Sequence, residues 1–181
     1  DLKNHPRIHD HGDVDLTGVS GVSRTLDVLQ RHYEELLKKG FRMVSLGGDH
    51  AVPLPIVRAY ARHYPSLTIL QLDAHPDLYD VLDGNRYSHG CPFARIMEEK
   101  LCDRLIQVGI RTATPHQRAQ AERYHVQVVD MKALDAGGWV DIAGDVYLSL
   151  DLDALDPAFA PGVSHHEPGG MSTRSVLRVI Q

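Results

Sequence analysis

Apolar positions along this chain switch repeatedly between a helical and an extended period. From Ser23 to Lys39, Leu26, Leu29, Tyr33, Leu36 and Leu37 recur at three- and four-residue spacing, and Gly40 stands where the pattern stops. This predicts an amphipathic helix with a glycine terminator. Phe41 to Leu46 is a short apolar run broken by Gly47-Gly48, and it predicts a strand. Val52 to His63 predicts a helix, since Pro53 and Pro55 are tolerable in a first turn. Leu67–Leu72, Leu105–Ile110, Val126–Val129 and Val146–Leu150 predict further strands, the first marked by its branched residues. Cys91 to Asp103 and Pro115 to Tyr124 predict helices between them, and Ser172 predicts the N-cap of a last one. The chain up to about residue 20 and the stretch from Leu78 to His89 are polar and read as loops. Strand and helix thus alternate along the chain, the signature of a mostly parallel sheet covered on both faces. The expected architecture is a three-layer α/β/α domain. No Pro/Gly/Ser-rich linker divides residues 1–181, so one domain is expected.

Composition narrows the function. With 181 residues the chain can bury a substantial core. No apolar stretch approaches the ~20 residues of a membrane span, and Asp1 to Pro6 lacks the features of a signal peptide. A net charge of −5 argues against nucleic acid and is compatible with a small cationic substrate. Cys91 and Cys102 form neither a CxxC pair nor a disulfide framework. They read as reduced thiols in a cytoplasmic protein.

Three stretches carry the chemistry. His50 follows the run at 41–46; Asp73, His75 and Asp77 follow 67–72; Asp151 and Asp153 follow 146–150. Residues i and i+2 of an extended chain point to the same face, so Asp73 pairs with His75 and Asp151 with Asp153. A lone Asp at a strand end is ordinarily a turn or capping residue, and a lone His a surface group. Four carboxylates gathered at strand ends are different, because desolvation and mutual repulsion would be severe without cations. Four carboxylates and two imidazoles are too many for one zinc. They suit two divalent cations that share bridging carboxylates and activate a water. The oxygen-rich, partly imidazole donor set favours Mn²⁺ over Zn²⁺, Mg²⁺ or Ca²⁺. The His and Asp residues from His9 to Asp15 have no preceding strand to fix them and read as a solvated loop.

Gly47-Gly48-Asp49-His50, Asp73-Ala74-His75-Pro76-Asp77 and the run from Ser149 to Pro157 resemble the three signatures of the ureohydrolases, which include arginase, agmatinase, guanidinobutyrase and formimidoylglutamase. The resemblance runs from about Gly40 to the end of the chain. Asp73–Asp80, Tyr87–Met97 and Asp156–Gly170 look especially like the plant arginase and bacterial agmatinase-like branch. It implies two Mn²⁺ ions, one on His50, Asp73, Asp77 and Asp151, the other on Asp73, His75, Asp151 and Asp153. It implies His89 as a proton shuttle and hydrolysis of a guanidinium to urea and an amine, protonated by way of Asp153 or His89. Asp49 would orient His50. Homo-oligomers, trimers or hexamers, are implied, as is a further C-terminal strand and helix that this chain lacks.

The match departs from the animal enzymes at two places. Tyr79 stands where they carry an asparagine that binds the amino-acid end of arginine, and Thr112 follows Gly109-Ile110-Arg111 where they carry an acid. These departures favour agmatine over arginine, while the plant-like motifs favour arginine. Tyr79, Asn85, His165 and Glu167 are the candidate substrate contacts. Two rival readings are a Cys91 nucleophile with His89 as its base, and a non-catalytic metal-binding subunit.

Overall fold

The computed structural model describes residues 8–181. Its elements are α1 (Val22–Lys38), α2 (Pro53–Ala61), β1 (Leu67–Leu72), α3 (Pro92–Glu98), β2 (Arg104–Ile110), α4 (Pro115–Arg123), β3 (Gln127–Asp130), α5 (Met131–Asp135), β4 (Asp145–Leu150) and α6 (Thr173–Ile180). The strands form one sheet in the order β3-β2-β1-β4, with every pairing parallel.

Period-two alternation sorts the core into two layers. Leu67 and Ile69 of β1 and Leu105 of β2 pack with Leu54 and Val57 of α2 and with Phe93 and Ile96 of α3. Leu70 and Leu72 of β1 and Ile106 and Val108 of β2 face the opposite way, onto Val129, Met171 and Val176. Helices cover both faces, which is the expected three-layer arrangement.

Local chemistry explains most boundaries. Ser172 accepts from Ser175 N at 3.1 Å and caps α6. Thr114 and Gln117 form a reciprocal capping box at α4. The helix predicted to reach Asp103 stops at Glu98, because Lys100 turns left-handed (φ 54°) and Leu101 N donates back to Ile96 O. This is a Schellman-type closure. The predicted loop from residue 8 onward is observed, with His11 edge-on to Phe41; the part before it lies outside the described residues.

One predicted strand does not form. Residues 41–46 run without ladder pairing, and Val44 and Leu46 are 93% and 97% exposed. A strand needs a neighbour for its backbone N–H and C=O groups. Here a cleft of about 480 Å³, bordered by Ser45 and Gly47 on one side and by Tyr147 to Leu150 on the other, separates the segment from β4. Among the described residues β4 is the sheet edge, and it leaves Val146, Leu148 and Leu150 exposed.

Candidate metal centre

The sheet presents its polar groups where β1 and β4 end together. Leu72 and Leu150 are register partners, so Asp73 and Asp151 leave adjacent strands at one level. Asp73 N donates to Val108 O and Asp151 N to Leu72 O, which carries the ladder one residue into each motif. Beyond it the second motif turns sharply: Asp77 adopts φ 49° directly after Pro76. That conformation costs a non-glycine residue about 1 kcal/mol, and it brings the carboxylate onto His50.

Three aspartates share one pattern. Asp73 Oδ1 accepts from His75 N at 2.7 Å, Asp153 Oδ1 from Ala74 N at 3.2 Å and Asp151 Oδ1 from Asp153 N at 2.9 Å. Their second oxygens face histidine. Asp73 Oδ2 and Asp151 Oδ2 lie 3.2 and 3.3 Å from His50 Nδ1, and Asp153 Oδ2 lies 3.2 Å from His75 Nδ1. Asp77 Oδ2 completes the group at 2.8 Å from His50 Nδ1. Two sets of donors result, His50/Asp73/Asp77 and Asp73/His75/Asp153, each with ligand atoms within 4.8 Å of one another. Asp73 belongs to both. Asp151 stands beside His50 but outside either set.

Among the described residues, only His50 and His75 bring a cationic nitrogen within 4.0 Å of these four carboxylates. The protonation pattern follows. Burial depresses His50, but the Asp73 and Asp77 carboxylates outweigh it and raise its pKa to about 11. Asp153 and Asp73 raise His75 to about 10. Burial and the charge of Asp73 push Asp77 up to about 7. Asp73 resists its own burial because both histidines hydrogen-bond to it, and it stays well below the usual carboxylate range. Burial raises Asp151 too. A cluster this rich in buried carboxylates, with no Lys or Arg on it among the described residues, fits divalent cations by donor number and type.

The other predicted residues divide. His89 and His165 line the 480 Å³ cleft with His50, Asp151 and Asp153. The His165 ring lies 5.5 Å from that of His75 and 6.2 Å from that of His89. Glu167 Oε1 is 3.7 Å from His75 Nε2. Tyr79 and Asn85 do not line that cleft. Tyr79 stacks on His116, and Asn85 Oδ1 accepts from Tyr87 N within its own turn.

One correction concerns a supporting group, and one rival reading falls. Asp49 does not orient His50; its Oδ1 accepts from Ala51 N, and Ser149 Oγ holds His50 Nε2 at 3.1 Å. The Cys91 thiol is fully buried and burial raises its pKa, the reverse of an activated nucleophile. Arg111 has a structural role that its place in the sequence does not signal. Its guanidinium donates to the carbonyls of Asp153 and Glu167, at 2.6 and 2.7 Å, and so pins the third motif to the loop carrying His165. Gly170 lets this happen, since a Cβ there would sit 2.7 Å from Arg111 Nη2.

The arginase-family model matches residues 2–181. "Arginase 1, mitochondrial" from Oryza sativa subsp. indica is 42% identical over 191 residues, covering 98% of this chain and 56% of that protein. An agmatinase from Serratia proteamaculans (strain 568) is 38% identical, covering 100% of this chain and 60% of that one. The solved arginase from Medicago truncatula superposes with a TM-score of 0.83 at 40% identity, covering 90% of this chain and 54% of that one. The chain thus spans little more than half the length of these relatives.

Proposed function

This chain belongs to the arginase family, and on that premise we propose that it carries the two-metal centre of a hydrolase acting on a linear guanidino compound, with agmatine as substrate and putrescine and urea as products. The observation that carries the proposal is the pair of ligand sets sharing Asp73, at the foot of the cleft that His89 and His165 line. Arginine is the second reading, and the 42% identity to the rice arginase favours it. Tyr79 and Thr112, in place of an asparagine and an acid, favour agmatine.

His50, Asp73 and Asp77 would hold one Mn²⁺, and Asp73, His75 and Asp153 the other, with Asp151 completing both. When bound, the ions supply Lewis acidity and a water of lowered pKa. Hydrolysis adds water to the guanidinium carbon and breaks one C–N bond. The leaving amine needs a proton. His89 is exposed at the cleft, and its Nδ1 faces Ser88 Oγ at 3.4 Å, so Nε2 is left to deliver it, or Asp153 does so. His165 and Glu167, beside His75, would contact the substrate; Tyr79 and Asn85 would act only from outside the cleft. The chemistry asks for a small cationic substrate and for neither nucleic acid nor membrane. Among the described residues, no helix is long and apolar enough to cross one. By family resemblance we place the protein in a homo-oligomer, a trimer or hexamer. The two unpaired thiols suit a reducing setting such as the cytoplasm.

Urea release by the Mn²⁺-loaded protein from agmatine, arginine and guanidinobutyrate tests the proposal. Turnover fastest on agmatine is expected. Two bound ions without turnover on any guanidine would favour the metal-binding-subunit reading instead.

A further inference from the structure

Two glutamines stand side by side in the centre of the sheet. Gln71 of β1 and Gln107 of β2 are register partners, and each is 0% exposed. An apolar pair would be the ordinary occupant of such a position in a buried parallel sheet. Their amides point the same way. Gln71 Nε2 donates to Asp73 Oδ2 at 2.7 Å and to His75 O at 3.1 Å. Gln107 Nε2 donates to Gln71 Oε1 and to Pro76 O, both at 2.7 Å. The orientation is forced from the metal end. A carboxylate and two carbonyls can only accept, so both Nε2 groups must face them. All four N–H groups are used. The surplus appears at the far end, where Gln107 Oε1 has no partner among the described residues. Leaving a buried acceptor unmatched is unfavourable. A sheet that keeps this pair spends that cost on holding Asp73, His75 and Pro76.

We infer that Gln71 and Gln107 form a directional hydrogen-bond relay that positions the segment from Asp73 to Asp77, and with it three of the metal ligands. Gln107 acts through Gln71 on the shared carboxylate and directly on the Pro76 carbonyl, which sets up the left-handed turn at Asp77. Both are positioning residues; neither would touch metal or substrate. Outer-shell partners of this kind commonly change metal affinity by about 10–100-fold.

The inference rests on the two-metal reading, and one experiment separates their failures. Mn²⁺ affinity is measured by calorimetry on the unaltered chain and on Gln107→Met, Gln71→Met and the double variant, with denaturant unfolding of each metal-free protein as a control. The relay predicts about 10-fold or greater weakening of Mn²⁺ binding in Gln107→Met. It also predicts losses in the double variant that are less than additive, because Gln107 acts partly through Gln71 and partly on the Pro76 carbonyl directly. Unaltered protein that binds fewer than two ions overturns the two-metal reading. Two ions bound with undiminished affinity in folded Gln107→Met overturns the relay, as do strictly additive losses. Should Gln71→Met fail to fold, the Gln107→Met arm decides alone.

Discussion

At the scale of single residues, the centre is a contest between carboxylates that repel and histidines that neutralise them. His75 has its pKa raised to about 10 from an ordinary 6.5. A raised group stabilises the fold fully below its unfolded pKa and ceases to as pH climbs through the folded value. The metal-free chain therefore loses His75-linked stability between about pH 6.5 and 10. Asp77, raised to about 7, works in the same direction between about pH 4 and 7. Asp73, held low, contributes above its ordinary range and loses that contribution only in acid. Bound cations need these ligands deprotonated, so the effect of Mn²⁺ has the opposite pH trend. The rise in melting temperature on adding Mn²⁺ should grow between pH 6 and 8.5, measured by calorimetry; a rise that shrinks over that range would contradict the ligand assignment. For His89, replacement by asparagine should leave metal binding intact and lower kcat by about 10²–10⁴-fold. Loss of metal along with activity would show that His89 serves the centre itself.

At the scale of elements, the strands place the ligands and the turns aim them. Gly109 shows how finely. It sits at φ 93° where β2 and β3 shift register, and a Cβ there would lie 2.8 Å from Met171 Cε and 3.3 Å from Asp73 O. Gly109→Ala should destabilise the fold by about 1–3 kcal/mol and weaken Mn²⁺ binding, read by denaturant unfolding and metal titration. Much at this scale was legible beforehand. Short apolar runs rich in branched residues marked β1, β2 and β4, and Ser172 marked the start of α6. The three motifs supplied every residue that now clusters, because spacing of i and i+2 after a strand is itself geometric information. What was not legible came from contacts between distant segments. Lys100 gave no hint of its left-handed turn, α5 was too short to show a period, and Ser149, Arg111 and Gln107 act through partners far away in sequence. Asp49 was misjudged because adjacency in the chain is not adjacency in the fold.

At the scale of the molecule, β4 has one edge unpaired among the described residues and its apolar side chains half-covered. The segment at 41–46, apolar by sequence, lies across the cleft from it without ladder pairing. Sequence pattern alone made it a strand, because pattern records what a segment could pair with and not whether a partner lies beside it. Exposed, flat edges invite pairing between chains. This chain should self-associate through β4 in a concentration-dependent manner, and Leu148→Lys should reduce that association, measured by light scattering. Association unchanged by the added charge would place the contact elsewhere.

The number of ions this one cluster holds decides whether it is a two-metal centre. Titration of the metal-free chain with Mn²⁺, followed by calorimetry and electron paramagnetic resonance, should give two equivalents per chain with spectra of a spin-coupled pair, and Asp73→Ala should weaken both sites and change the coupling because that carboxylate belongs to both ligand sets. Saturation at one equivalent, or two uncoupled ions untouched by Asp73→Ala, would contradict a two-metal centre.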